Sequence, residues 1–208
     1  RGPDDRGVLL RKNVGLGFVR LSIIDLSNKG HQPMQDSTGR YFIIYNGEVY
    51  NFIEIRKELL KKGYHFNSNT DTEVVLYSYI EWGESCLERF NGMWSFCIYD
   101  LKEESIFLSR DRYGIKPLYF YHNENQFIFA SEIKSILKII RNKLSPNQKA
   151  IYNYLVYNRT DYDEQTFFIE INKVNAGNCL KIFNNDKSYA YKQNIHNGYQ
   201  KLYHNVYK

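Results

Sequence analysis

Residues 41–48 read Tyr-Phe-Ile-Ile-Tyr-Asn-Gly-Glu, an apolar run with an Asn-Gly pair after it. We interpret this run as a buried strand that ends in a turn, because Asn-Gly is the strongest short signal for a hairpin turn. Apolar residues then recur at helical spacing over residues 52–62, and Gly63 stands where a helix C-cap glycine would. The sequence therefore predicts a strand followed by a helix.

A capping-box sequence, Thr70-Asp-Thr-Glu73, predicts a second helix that Gly83 closes. Strands are predicted on both sides of the two helices. The early strands lie at 7–11, 14–24 and 41–45, and the later ones, interpreted as an antiparallel meander, lie at 93–99, 105–109, 117–121 and 126–130. We therefore expect an α+β fold in which two sheets pack on each other with helices outside.

The second half of the chain is less regular. Ser131-Glu132 is predicted to cap a helix that runs to Ile140. Beyond that point the pattern predicts a helix over residues 146–157, with proline in its first turn, and a strand over residues 178–183. We expect three parts: a main domain over residues 1–140, a connection over residues 141–183, and a poorly determined tail over residues 184–208.

Composition excludes several classes of protein. The 208 residues are 43% hydrophobic and 25% charged with four prolines, which argues against a disordered or low-complexity chain. No apolar run reaches the length of a membrane helix. The net charge of +5 comes from 28 basic and 23 acidic residues that alternate along the chain, so neither nucleic acid nor membrane is an expected partner.

Cysteine and histidine spacing gives no sign of a metal site or a disulfide framework. The three cysteines lie far apart, without a Cys-x-x-Cys motif, and the five histidines lack ligand spacing. We therefore expect no metal in this domain and a reducing, cytoplasmic location.

Polar residues at the predicted strand ends are the candidates for a binding site. Arg20 interrupts an apolar strand, and it either forms an internal ion pair or binds a carboxylate ligand bidentately. Asn46, Gly47 and Glu48 either form a plain turn or offer two donors to an oxyanion beside a carboxylate. Asp71 either complements the helix dipole or accepts a ligand ammonium group. In combination, the functional alternatives would bind an α-amino acid that reacts at a carbonyl.

A series of segments in fixed order carries a family resemblance. It consists of Arg1-Gly-Pro-Asp4, Arg20-Leu-Ser-Ile-Ile-Asp25, Gly30-His-Gln-Pro-Met34, Tyr45-Asn-Gly-Glu48 with Tyr50-Asn51, Thr70-Asp-Thr-Glu-Val74, Phe90-Asn-Gly-Met93, Arg110-Asp-Arg-Tyr-Gly-Ile-Lys-Pro-Leu-Tyr119 and Phe129-Ala-Ser-Glu-Ile-Lys134. The series resembles the glutamine-hydrolysing asparagine synthetases, densely over residues 1–140 and weakly over residues 166–180.

The resemblance implies a class II glutamine amidotransferase domain with a four-layer αββα sandwich of the N-terminal-nucleophile type. In that family a cysteine at the mature N-terminus hydrolyses glutamine, and the ammonia passes to a synthetase domain that uses ATP and Mg²⁺ to convert aspartate into asparagine through β-aspartyl-AMP. Arg20 would bind the glutamine carboxylate, and the backbone of Leu21, Ser22, Ile23 and Ile24 would line the site. Asn46 and Gly47 would form the oxyanion hole, and Glu48 and Asp71 would contact the α-amino group.

Two departures from the family lead us to expect an inactive fragment. The nucleophilic cysteine belongs upstream of Arg1, and Cys86, Cys97 and Cys179 are not at a chain start, where the free α-amino group can act as the base. The synthetase domain, with its Ser-Gly-Gly-x-Asp-Ser loop, is also absent from the 208 residues. The expected partners are glutamine and that domain, with a homodimer of the full protein as a candidate assembly.

Two other functions stay open on the sequence. One is a related amidotransferase with a different acceptor, of the β-lactam synthetase or surface-polysaccharide type, which would share this N-terminal domain. The other is a non-catalytic module that binds glutamine.

Overall fold

The computed structural model describes residues 2–140, 144–160, 163–185 and 188–195, the last ten of these by their backbone alone. Contacts divide the chain into two compact units, Arg1–Leu108 and Ser109–Lys208. Both contain helices and antiparallel sheets, so the α+β class predicted from the sequence is confirmed.

The first unit begins with a hairpin of β1 (Asp5–Arg11) and β2 (Val14–Arg20). A sheet follows, in which β3 (Met34–Gln35), β4 (Tyr41–Val49), β5 (Gly92–Asp100) and β6 (Ser105–Arg110) lie in the order β6-β5-β4-β3. The connection from β4 to β5 contains α1 (Phe52–Lys61), α2 (Asp71–Trp82) and the short α3 (Cys86–Arg89). The long antiparallel pairing of β4 with β5 fixes where each residue of β4 lies.

The core of the first unit lies where α2 packs on β4 and α1. Residues 71–78 of α2 are all buried, and so are residues 94–100 of β5, which has a neighbouring strand on each side. Fully buried side chains include Ile43, Leu59 and Leu76, each of which contributes about 1.5–3 kcal/mol through removal from water. This packing holds the start of α2 against β4, where most of the candidate site residues lie.

The second unit contains a three-stranded sheet in the order β8-β7-β9, made of β7 (Tyr119–His122), β8 (Phe127–Ala130) and β9 (Ile171–Lys173). It also contains α4 (Ile133–Ile139), α5 (Gln148–Tyr157) and a hairpin of β10 (Asn178–Asn185) with β11 (Ser188–Ile195). Tyr121, Ile136, Ile140 and Ile171 form its buried apolar cluster.

The two longer helices of the first unit, α1 and α2, were predicted with their glycine ends, whereas the short α3 was not predicted. Gly63 and Gly83 have φ angles of +93° and +58°, a region that favours glycine. Thr70 caps α2 through its hydroxyl, which accepts a hydrogen bond from the Glu73 N–H at 3.3 Å. In a full capping box the Glu73 carboxylate would accept from the Thr70 N–H. Here it accepts instead from the N–H groups of Asn67 and Ser68.

Three predictions about strands were wrong. β4 does not end before Asn46 but continues to Val49, because Asn46 and Gly47 pair with Ser95 and Trp94 of β5. β2 ends at Arg20 rather than at Ile24, because the chain folds back over the Arg20 side chain.

The third error concerns the meander. Its four strands exist, but β5 and β6 lie in the sheet with β4, whereas β7 and β8 lie in the separate sheet with β9. The pairing is set by contacts far apart in the sequence, which a local pattern does not contain.

Two bounds in the second unit also differ from the prediction. The helix expected from Pro146 begins at Gln148, because Asn147 is its N-cap and accepts a hydrogen bond from the Ala150 N–H. The strand expected over residues 178–183 continues to Asn185 and pairs with β11, which was not predicted. Of the tail expected over residues 184–208, residues 186–187 and 196–208 lie outside the described part of the chain.

Candidate functional site

Arg20 lies at the end of β2 with only 7% of its surface exposed. Its Nη1 donates to the carbonyl oxygen of Ser27 at 3.0 Å, and its Nη2 donates to those of Asp25 and Ile24 at 2.5 and 3.3 Å. All three acceptors are uncharged carbonyl oxygens, and together they orient the guanidinium. These bonds use three of the five N–H donors of arginine.

A glycine makes room for this arginine. A Cβ atom on Gly30 would lie 2.0 Å from Nη2 of Arg20 and 2.4 Å from its Cζ. Any larger residue at position 30 would therefore displace the guanidinium from the ring of carbonyl oxygens.

The segment from Leu21 to Ile24 follows Arg20 without regular structure. Leu21 and Ile23 are more than half exposed, while the Ser22 N–H donates to the Asp4 carboxylate at 2.6 Å. Asp4 also donates its own N–H to the carbonyl oxygen of Arg20 at 3.1 Å. Asp4 thus holds the backbone at Arg20 and at Ser22.

Asn46, Gly47 and Glu48 lie half-buried within β4. A Cβ atom on Gly47 would lie 2.4 Å from the carbonyl oxygen of Met93 and 2.8 Å from Cα of Trp94, both in the backbone of β5. Glycine is therefore required here for the close approach of two strands. This explanation is independent of any oxyanion role, which stays a prediction.

Asp71 is the first residue of α2, and it is 5% exposed. Its Oδ2 accepts hydrogen bonds from the Tyr45 hydroxyl at 2.8 Å and from the Val49 N–H at 3.0 Å. Because Tyr45 and Val49 flank the Asn46-Gly47-Glu48 stretch, one carboxylate ties both ends of that stretch to the start of α2. Burial raises the pKa of Asp71 above its usual value, and the two hydrogen bonds oppose that rise.

Gln32 contributes to the site, although no role was predicted for it from the sequence. It is 4% exposed, its Oε1 accepts from the Tyr45 N–H at 2.7 Å, and its Nε2 donates to the Thr72 hydroxyl at 3.4 Å. β3 begins only at Met34. Just before it begins, the Gln32 side chain rather than the backbone accepts the hydrogen bond from the Tyr45 N–H of β4. Its position in the Gly30-His-Gln-Pro-Met34 segment was the one available signal.

The structure thus joins the candidate residues through backbone elements. Asp71 is tied directly to the strand that carries Asn46, Gly47 and Glu48, and Arg20 is held by a loop of its own. A cluster of three or more side chains suited to a metal ion does not occur among the described residues. No helix in the described part of the chain has both the length and the apolarity to cross a bilayer.

The chain's cysteines are unsuited to nucleophilic chemistry. All three are buried thiols outside any disulfide, with at most 1% of their surface exposed. Burial raises the pKa of the Cys97 thiol well above its usual range, which disfavours the thiolate. Cys97 lies inside β5, where it is a small residue of the core.

Comparison with known proteins assigns the family. The family described as "Glutamine amidotransferase domain" matches residues 1–193. The chain belongs to this glutamine amidotransferase family. It is 44% identical over 174 residues to a putative glutamine-hydrolysing asparagine synthetase 2 of Methanocaldococcus jannaschii, covering 74% of this chain and 33% of that protein. It is 39% identical over 182 residues to glutamine-hydrolysing asparagine synthetase 1 of Bacillus subtilis, covering 88% of this chain and 28% of that one.

The amidotransferase chain therefore spans about a third or less of the length of these curated relatives. Among solved structures it is similar to the glutamine phosphoribosylpyrophosphate amidotransferase of B. subtilis, with a TM-score of 0.59 and 18% identity over 87% of this chain and 35% of that one. This likeness concerns the fold alone, and it confirms the N-terminal-nucleophile fold class that the sequence resemblance implied.

Proposed function

We propose that this chain is the glutaminase part of an ATP-dependent asparagine synthetase. The proposal rests on the match to relatives that are named glutamine-hydrolysing asparagine synthetases, together with a buried Arg20 whose guanidinium is oriented by three backbone carbonyls. In the full enzyme, glutamine hydrolysis would release ammonia, which would displace AMP from β-aspartyl-AMP to give asparagine. ATP and Mg²⁺ would be held by the synthetase part of that enzyme.

The charges of the site fit the two ends of an amino acid. The guanidinium of Arg20 would bind the α-carboxylate of glutamine through the donors that the loop carbonyls leave, beside the backbone of residues 21–24. Glu48 and Asp71 would balance the α-ammonium group. Because Asp71 is buried and already accepts two hydrogen bonds, Glu48 is the more accessible of these carboxylates.

The side-chain amide of glutamine is the group that reacts. A thiolate would add to its carbonyl carbon, and the oxygen would become an oxyanion that the Asn46 amide and the Gly47 N–H stabilise. Collapse of this intermediate breaks the C–N bond, the nitrogen leaves as ammonia after protonation, and water hydrolyses the resulting thioester to glutamate.

The thiolate in this proposal is that of the N-terminal cysteine that the family uses. Because the chain's own three cysteines are buried, the 208 residues alone are expected to show no glutaminase turnover. Three buried thiols that form no disulfide also support a reducing, cytoplasmic setting for the enzyme.

Substitution of Arg20 in the full-length enzyme tests the proposal. Two charge-assisted hydrogen bonds at about 1.5 kcal/mol each correspond to roughly 100-fold in binding. We expect Arg20→Gln to raise the KM for glutamine by about that factor. Asparagine formation from added ammonia should be unchanged, since ammonia bypasses the glutamine site.

Arg11→Gln is the matched control, because Arg11 is an exposed arginine in the same hairpin. It should leave both activities unchanged. A KM for glutamine that does not respond to Arg20→Gln, in an enzyme that uses glutamine, would contradict the assignment of Arg20.

A further inference from the structure

The loop that holds Arg20 has a defined shape. Three of its carbonyl oxygens, those of Ile24, Asp25 and Ser27, point at one guanidinium. The direction of a carbonyl is set by the backbone torsion angles around it, so whatever fixes this loop also fixes the orientation of Arg20.

Asp25 fixes the loop from within. Its φ angle is +56°, in the left-handed region that non-glycine residues rarely adopt without compensating contacts. Its Oδ1 accepts hydrogen bonds from the N–H of Ser27 at 3.0 Å and from the Ser27 hydroxyl at 2.6 Å. These bonds close the turn in which the carbonyls of residues 25 and 27 face Arg20.

The other oxygen of the same carboxylate connects the loop to α2. Oδ2 of Asp25 accepts a hydrogen bond from the Asn69 N–H at 2.9 Å. Asn69 lies two residues before Asp71, the first residue of α2. One partly buried side chain therefore joins the surroundings of Arg20 to the segment that carries Asp71.

Such a connection matters for the recognition of an amino acid. The α-carboxylate and the α-ammonium group are attached to the same carbon atom, so the groups that bind them must keep a fixed separation. If the loop shifted relative to α2, a ligand whose carboxylate bound Arg20 well would have its ammonium group displaced from the start of α2. The two ends of the ligand could then not bind well at the same time.

We propose that Asp25 is a positioning residue for the amino-acid site, which sets the orientation of Arg20 relative to the start of α2. This inference rests on the proposed function, since it assumes that Arg20 and the start of α2 bind one ligand. Asp25 acts through Arg20 and does not itself touch the ligand.

Two variants of the full-length enzyme separate the contributions of Asp25. Asp25→Gly adopts the positive φ without cost but loses every carboxylate bond. Asp25→Asn keeps the shape and one acceptor oxygen, so it cannot accept the hydrogen bonds from Ser27 and from Asn69 at the same time. We expect the KM for glutamine to rise about tenfold in Asp25→Asn and further in Asp25→Gly, with kcat within about twofold and ammonia-dependent synthesis unchanged.

Asp36→Asn is the matched control, because the Asp36 carboxylate closes the turn before β4 in a similar way. It accepts from the N–H groups of Thr38 and Tyr41 at 3.0 and 2.8 Å. This variant should lower the melting temperature without changing the KM for glutamine. Should Asp25→Gly fail to fold, Asp25→Asn and this control carry the comparison.

The outcomes distinguish this inference from the proposed function. A parent enzyme that uses ammonia but not glutamine contradicts both. A parent that uses glutamine, with an unchanged KM in the Asp25 variants or an equal rise in Asp36→Asn, contradicts the positioning role of Asp25 alone.

Discussion

Replacing Gly47 by alanine should destabilise the first unit, because β5 leaves no space for a side chain there. The added Cβ would lie 2.4 Å from the Met93 carbonyl oxygen, whereas ordinary contact begins at 3.4 Å. The two strands would have to separate locally by about 1 Å, since the obstructing atoms belong to the backbone and cannot rotate away. Overpacking of this kind costs about 1–3 kcal/mol, and we expect a value near the upper end.

Gly17→Ala is the matched control, because it is the same substitution in a strand of the same unit. Gly17 lies in β2, and a Cβ there would meet nothing within 4 Å. Loss of chain entropy in the unfolded state should make this variant more stable by about 0.5–1 kcal/mol.

Urea unfolding of both variants measures the contrast. With an m-value of about 2 kcal/mol/M, a difference of roughly 3 kcal/mol separates the two midpoints by about 1.5 M. Equal midpoints for Gly47→Ala and Gly17→Ala would refute the account of Gly47 as a requirement of strand packing.

Three further predictions concern stability and thiol chemistry. All three cysteines should resist a thiol reagent in the native chain and react together on unfolding, since each is buried; fast labelling of a native thiol would contradict this. Arg110→Ala should lower the free energy of unfolding of the second unit by at least about 2 kcal/mol, since the Arg110 guanidinium is buried and donates to three backbone carbonyls. Amide hydrogen exchange would detect this loss of stability, and unchanged protection of the second unit would refute the prediction. The hydrogen bonds to Asp25 lower its pKa to about 2, so the ionised carboxylate stabilises the fold above pH 4 and this contribution disappears as the pH falls through 2. Urea midpoints of Asp25→Asn and the parent should therefore differ at pH 6 and converge near pH 2, and a constant difference would be the contrary result.

The local elements were predictable because their signals are local. The helical spacing and the terminal glycines of α1 and α2 lie within a few residues of the helices that they define. The Asn46-Gly47 pair shows the limit of such signals. It has the composition of a hairpin turn, but pairing with β5, about fifty residues later in the chain, extends the strand through it.

The candidate site was predictable only in its residue types. A charged Arg20 within an apolar segment indicated that it needed a partner, such as a carboxylate. The partners are instead the carbonyl oxygens of a loop that turns back after β2, and this depends on the left-handed conformation of Asp25. The Asp71 carboxylate bonds with Tyr45 and Val49 depend likewise on the packing of α2 against β4, which no spacing within the sequence encodes.

Transfer of a labelled nitrogen tests the central claim most directly. The full-length protein would receive glutamine labelled with ¹⁵N at the side-chain amide, together with aspartate, ATP and Mg²⁺, and the products would be examined by mass spectrometry. We predict glutamate and asparagine with the label in the asparagine amide. Glutamate formation with no label in asparagine would contradict the asparagine synthetase assignment and indicate another acceptor, and the absence of glutamate would contradict glutaminase activity itself.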